Sequence, residues 1–328
     1  GSGSRWGLGS YLLGSLGQAN PARLWGIGLV ATAMAGLAYA LLAWLGSRVA
    51  GTSRAVTIAA GAMPDSRHGT STGPWRWLVP LAALLLPFLI WWALALTLGV
   101  SPIVFKTPAG VVDYLFLGRS AASAQARLLT AFVQTLPLML LGMGVGLLLA
   151  LALAIAGEVR PALASTLLPV SLVTQTMPLV ALTPLLVLLL GRGIALTLAV
   201  TASVTFFPAF VTIAQGLRMV PPAAFDLARA YGASWARKLW LIALPASLPY
   251  LLAAARLAVP RALLGVMIAE WLATGRGLGN LLNQSRGYLD YGMIWSVATV
   301  SVLVAVGFYQ LVTLAEARLL RRLGMAGH

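Results

Sequence analysis

The stretch Pro221-Pro222-Ala223-Ala224-Phe225-Asp226-Leu227-Ala228-Arg229-Ala230-Tyr231-Gly232, followed after nine residues by Ile242-Ala243-Leu244-Pro245, interrupts a long series of apolar runs. Proline is tolerated in the first turn of a helix, and glycine supplies the backbone freedom of the turn that ends one. A short helix is therefore predicted from Pro222 to about Tyr231, stopping at Gly232. Phe225, Leu227, Ala228 and Tyr231 recur at near-helical spacing, and Asp226 and Arg229, three apart, are placed to pair. Pro245 marks the return of the chain to an apolar run.

The composition around this stretch decides the fold class. With 60% hydrophobic and 9% charged residues and a mean hydropathy of +0.91, too few polar groups exist to cover an aqueous surface. Water is absent from the hydrocarbon of a bilayer, so spans are helices or a closed barrel, and these runs are too long and uniform for alternating strands of about ten residues. The expectation is an all-α, polytopic membrane helix bundle. The chain has no cysteine, which removes disulfides, thiolate metal sites and cysteine nucleophiles together. His68 in a polar stretch and His328 near the tail make no metal cluster. The net charge of +15 is dispersed over span ends, loops and tail, as suits an anionic bilayer rather than nucleic acid.

Runs of about twenty apolar residues fall at Leu24 to Leu45, Trp77 to Val100, Leu128 to Ala156, Ala162 to Leu190, Ile194 to Gln215, Ala246 to Glu270 and Met293 to Ala315. Residues 49–76 are polar and turn-rich and read as a linker. With the Asp226 loop on the cytoplasmic side, 12 basic residues lie on that face, 8 on the other and 2, Arg256 and Arg261, within a span, making the total of 22. That is a modest positive-inside bias.

Residues 7–48 laid on 277–318 without gaps match at 12 of 42 positions, including Gly7-Leu8-Gly9 with Gly277-Leu278-Gly279, Trp25 with Trp295 and Tyr39 with Tyr309. Residues 1–48 are therefore expected to be the last span of a preceding copy of the same domain, with an accessory helix as the alternative. Residues 77–322 would be the complete six-span domain, with its polar loop at 216–245 and a cytoplasmic tail at 323–328.

The loop resembles the one shared by membrane subunits of ABC importers, written Glu-Ala-Ala, three residues, Gly, nine residues, Ile-x-Leu-Pro. Every offset is kept; Asp226 stands for the glutamate and Leu227 for the first alanine. Further motifs in the same order are Ser101-Pro102 with Pro108, Pro178 to Pro184, Gly216-Leu217-Arg218 with Pro221, and Ala269-Glu270 before Gly277-Leu278-Gly279. The chain is similar to permeases that import sulfonates, taurine, nitrate and related solutes, with the type I importer fold. This resemblance implies coupling to an ATPase through Phe225, Asp226, Leu227, Ala228, Arg229, Tyr231, Gly232, Ile242, Leu244 and Pro245. It also implies an ABC ATPase dimer, a second permease half and an extracytoplasmic solute-binding protein as partners. No catalytic residue is expected: a phosphate-cradling loop needs Gly-Lys-Ser/Thr, and the lysines, Lys106 and Lys238, follow Phe105 and Arg237. ATP and Mg would be bound by the partner.

For the translocation route, Thr174, Gln175 and Thr176, then Pro178 and Pro184, lie in an apolar run. Prolines free backbone carbonyls, tolerated in a membrane only against protein or water. Polar packing between helices is the equal alternative. Arg261 and Glu270, with Arg256, sit in or beside one span, where an unpaired charge costs on the order of 3 kcal/mol, so they should face protein or water. Gly142, Gly144 and Gly146 indicate close helix contact. Trp91, Trp92, Trp271 and Trp295, near span ends, read as interface anchors. An ion-coupled secondary transporter is the alternative function, with Glu270 as its single candidate acid. A membrane-embedded enzyme is disfavoured, because no cluster of His, Cys, Asp or Glu could carry chemistry.

Overall fold

The computed structural model describes residues 21–49, 75–97, 99–160, 162 and 179–324. Helix α1 runs over Pro21–Val49, α2 over Trp75–Thr97, and α3 over Pro108–Val112 with a wider, π-type turn at Asp113–Leu117. Then come α4 (Ala121–Val159), α5 (Leu179–Leu190), α6 (Ile194–Arg218), α7 (Pro222–Ala230) and α8 (Trp235–Lys238). The remaining helices are α9 (Leu244–Ala269), α10 (Gly277–Gly287) and α11 (Tyr291–Arg322). Wide turns at Leu239–Ala243 and Glu270–Thr274 join α8 to α9 and extend α9. No strand occurs among the described residues.

Four helical stretches among the described residues are long and apolar enough to cross a membrane: Ala121–Val159, Ile194–Arg218, Trp235–Thr274 and Tyr291–Arg322. Their bounds exceed the apolar runs of the sequence, because helix geometry continues into the polar flanks where apolarity stops. The 40 residues from Trp235 to Thr274 would extend about 60 Å at 1.5 Å per residue. Pro245 therefore does not break the chain at its return to the apolar run. Proline lacks the N–H that an α-helix would use four residues back, and the π-type turn just before Leu244 already departs from that pattern.

The centre of the bundle is α6, packed between α4 and α9. Without a hydrophobic driving force inside lipid, close packing of small residues holds spans together. Added Cβ atoms on Gly142 and Gly146 of α4 would collide with Thr201 and Thr205 of α6, and one on Gly265 of α9 would lie 2.7 Å from Val204. Gly144 meets nothing within 4 Å. The pair four residues apart, rather than the triplet, makes the contact.

Apolar clusters form around this centre. At the end that bears α7, Ala150 and Ala154 meet Phe210, Ile213, Leu217, Leu239 and Ala243. At the opposite end, Val111, Leu115 and Leu128 meet Leu278, Leu281, Met293 and Val297. Trp91 and Trp295 belong to this second cluster rather than standing alone as anchors. Their rings stack with centroids 5.2 Å apart, and their indole N–H groups donate to the carbonyls of Lys106 (3.0 Å) and Val104 (2.9 Å). Trp92 and Trp271 keep large exposed areas. Helix α1 packs against α5.

Candidate coupling site

Helix α7 begins where the sequence places it. Pro221 is the extended residue before the helix and Pro222 occupies the first turn, where an N–H would have no partner in any case. At the other end the N–H of Gly232 donates to the Arg229 carbonyl and that of Ala233 to the Ala228 carbonyl, both at 2.9 Å. This paired closure requires a left-handed residue, and Gly232 has φ +69°. Ser234 then starts α8, its hydroxyl accepting the Arg237 N–H at 3.4 Å.

The nine residues of α7 include none that is buried. Phe225 is half-buried and packs against the apolar cluster at this end, and Ala228 is half-buried beside it in the helical register. Leu227 is 62% and Tyr231 82% exposed. Asp226 and Arg229 pair as expected, at 3.6 Å and fully on the surface, which contributes little to stability. Ile242 and Leu244 are half-buried and Pro245 is exposed, at the root of α9. The candidate residues thus divide: Phe225 roots the helix, Asp226 and Arg229 border the groove beneath it while staying exposed, and Leu227 and Tyr231 face outward.

Beneath α7 lies a groove of about 520 Å³ lined by Glu158, Arg218, Phe225, Arg229, Trp235 and Lys238, among others. Arg218 reaches Glu158 at 3.8 Å. This links the last turn of α6 to that of α4 below the groove. A helix held by one aromatic root and one glycine turn over such a groove can be pushed from outside without unpacking the bundle.

The helical bundle agrees with what comparison with known proteins finds. Residues 142–324, more than half of the chain, match the family described as binding-protein-dependent transport system inner membrane components. The chain belongs to this family. A probable ABC transporter permease protein of Haemophilus influenzae is 31% identical over 71% of this chain and 93% of its own length. The taurine transport system permease protein TauC of Escherichia coli is 25% identical over 76% of this chain and 92% of its own. Among solved structures, an amino acid ABC transporter with histidines superposes with a TM-score of 0.50 at 19% identity, over 61% of this chain and 97% of that one; this likeness concerns the fold alone. The protein is a multi-pass inner-membrane permease of an ABC importer of the type I class. Among the described residues no group of His, Cys, Asp or Glu could hold a metal ion.

Of the residues expected along the route of this permease, Thr174, Gln175, Thr176 and Pro178 lie outside the described residues, and Pro184 falls within α5. Arg261 is half-buried in α9. Glu270 is 1% exposed, and its carboxyl group is fully engaged. It accepts the Thr135 hydroxyl at 2.8 Å and the Gly279 N–H at 3.0 Å. Thr135 in turn accepts the Leu278 N–H at 2.8 Å, and Gln134 accepts that of Gly277 at 3.0 Å. The first N–H groups of α10, which no helix can satisfy internally, are thus met by side chains of α4 and α9. Gly277 and Gly279 are required by this closeness, since added Cβ atoms would fall on the Glu270 carboxyl group and the Met267 carbonyl. The acid that an ion-coupled carrier would need is spent on holding α10.

Arg256 finds an acid of the last span: it lies 3.1 Å from Glu316, both largely buried, and over the Tyr309 ring at 5.8 Å. At the opposite end the Tyr114 hydroxyl donates to Asp290 at 2.9 Å, and Arg127 reaches the same carboxylate at 3.3 Å. Burial first, and then the hydrogen bond to Asp290, pushes the Tyr114 phenol up to about 12, so it remains a donor at neutral pH. Gln134, Thr135, Tyr114, Asp290 and Glu316 were not among the sequence candidates. A signal existed for Gln134-Thr135, two polar residues in an apolar run, of the same kind that singles out Thr174 to Thr176. None existed for Glu316, which reads as part of a charged helix end until Arg256 is seen against it.

Proposed function

We propose that this chain is the passive translocation subunit of the importer, with α7 as its coupling helix on the cytoplasmic face. Its partner would be an ABC ATPase dimer that binds ATP and Mg. The observation that carries the reading is the division within α7, where Phe225 is rooted in the bundle while Leu227 and Tyr231 are offered to a foreign surface. Exposed apolar side chains on an amphipathic helix are the ordinary means by which a helix docks in a groove of another protein. The basic excess on the same side, 12 against 8, supports the orientation.

In this reading nucleotide binding draws the coupling helices of two permease halves together, and the spans change from facing inward to facing outward. An extracytoplasmic solute-binding protein then delivers a small solute. The second half is another copy of this domain or a preceding repeat. The match of Gly7-Leu8-Gly9 to Gly277-Leu278-Gly279 supports residues 1–48 being the tail of such a repeat, 49–76 a linker, and 77–322 the complete domain. The repeated Gly-Leu-Gly is the segment that closes on Glu270 in the described copy, so its recurrence carries a structural requirement rather than a shared taste for apolar residues. The coupling residues are those of α7 with Ile242, Leu244 and Pro245. The translocation route runs beside the segment from Thr174 to Pro184 and the Arg261 stretch of α9, with Glu270 fixing its far end through α10.

Reconstitution with the partner ATPase tests this function. Solute uptake should require ATP and be blocked by vanadate, and Tyr231→Ala with Leu227→Ala should release the ATPase on co-purification. Uptake that survives loss of the ATPase but collapses with the proton gradient would overturn the reading.

A further inference from the structure

Arg261 is the one feature of α9 that neither packing nor pairing explains. The opposite side of the helix is fully committed: Ala258, Ala262, Val266 and Ala269 are buried. Gly265 touches α6, and Val259 and Leu263 meet Met139 and the last span. A stripe at helical spacing remains uncovered, with Pro260 exposed, Leu264 58% exposed and Trp271 36% exposed. Arg261 stands at the edge of this stripe, one turn from Gly265, on the flank toward α6. It is 17 residues from Leu244 and 13 from Thr274, or about 26 and 20 Å along the axis, near the middle of this apolar helical stretch.

A guanidinium stays charged at any physiological pH. The chain has seven acids, and five are already engaged. Glu158 faces Arg218, Asp226 faces Arg229, Glu316 faces Arg256, and Asp290 faces Arg127. Glu270 holds Thr135 and Gly279. Asp113 lies on the π-type turn at the opposite end, outside the spans, and Asp65 lies outside the described residues. Among the described residues Arg261 has no acid partner. On insertion scales an unpaired arginine at mid-span costs about 3 kcal/mol in lipid, whereas a water-filled cavity removes that cost.

We propose that the stripe of α9 through Pro260, Arg261 and Leu264 lines the aqueous translocation route, and that Arg261 is the fixed cation that favours oxyanion solutes there. The proposal rests on the importer reading and adds to it the sign of the solute's charge and the residue that senses it. A planar guanidinium offers paired N–H donors matched to two oxygens of a carboxylate, sulfonate or similar group. A lone positive charge in a narrow, low-dielectric passage also raises the local anion concentration.

The absence of cysteine makes the test direct. Leu264→Cys is made in the otherwise unchanged chain, and the assembled complex in proteoliposomes is treated with two membrane-impermeant thiol reagents of similar size, one anionic and one cationic. The introduced thiol should react with both, the anionic reagent being faster by on the order of tenfold after correction for intrinsic reactivity. Adding Arg261→Gln should bring the ratio close to one, and Arg261→Lys should keep most of it. Reaction only with a lipid-soluble maleimide would place the stripe against lipid and overturn the proposal. Equal rates for both reagents with Arg261 present would overturn it as well, even if Arg261→Gln failed to fold. Co-purification of the ATPase with the Leu264→Cys complex separates the two readings. If the ATPase is retained while the introduced thiol is sealed from water, the route assignment falls and the coupling assignment stands.

Discussion

Two short helices flank α9 in the chain, and they are opposites in everything but length. Helix α7, nine residues long, has no buried residue. Helix α10, of 11 residues, buries Gly277, Leu278, Gly279, Leu281 and Ser285. The first leans on the bundle through Phe225 and closes on its own backbone at Gly232. The second has its opening N–H groups taken up by Gln134, Thr135 and Glu270. The contrast shows what each end of the span can do. A helix whose polar groups are satisfied locally can be displaced as a unit, whereas one satisfied by side chains of two other helices moves only if they move.

The largest expected effect comes from breaking the locked end. Gly279→Val drives a branched side chain onto the Met267 carbonyl, and overpacking of this kind costs about 3 kcal/mol or more. Thermal melting of the detergent-solubilised protein should fall steeply, or folded protein should be lost. Glu270→Ala leaves the Gly279 N–H without an acceptor, while the Thr135 hydroxyl keeps the Ala131 carbonyl at 3.0 Å; stranding that one buried donor costs about 2 kcal/mol. Unchanged melting in that variant would mean that α10 is not held by the acid. Separating Arg256 from its acid with Glu316→Gln strands a largely buried charge, at a cost of about 3 kcal/mol. Glu316→Leu alone should be no better, whereas Glu316→Leu combined with Arg256→Leu should recover stability; the double variant tests whether the pair alone is responsible.

Smaller stability effects with larger functional ones are expected at the free end. Gly232→Val forces a branched residue to φ +69°, a strain of about 1–2 kcal/mol. The protein should still insert, while ATP hydrolysis proceeds with little solute uptake; normal uptake per ATP would show that the turn does not transmit force. Asp226→Ala removes an exposed pair and should shift stability by less than about 0.5 kcal/mol. If its melting point fell as far as that of Glu270→Ala, the contrast between the two ends would collapse.

Much of the α7 end is legible in the sequence because its geometry is local. Pro222 and Gly232 set the two ends of the helix whatever surrounds them, and the Asp226–Arg229 pair follows from a spacing of three. The α10 end is not legible in the same way. Glu270 reads as a charge at a span edge, and only the fold brings it to Thr135, 135 residues earlier in the chain. Trp91 and Trp295 read as two anchors at membrane boundaries and become a single stack once the fold brings the last turns of α2 to the start of α11.

The order of residues was enough to establish that the chain spans a membrane as helices and carries a short exposed helix between its spans. Apolar run length, proline and glycine act through neighbouring residues and through the absence of water in lipid. Which charges are spent and which remain emerges only once the helices are packed. Arg256 and Glu270 meet partners far along the chain, and Arg261 meets no acid among the described residues. Sequence distance is no measure of the few ångströms over which a hydrogen bond or an ion pair acts.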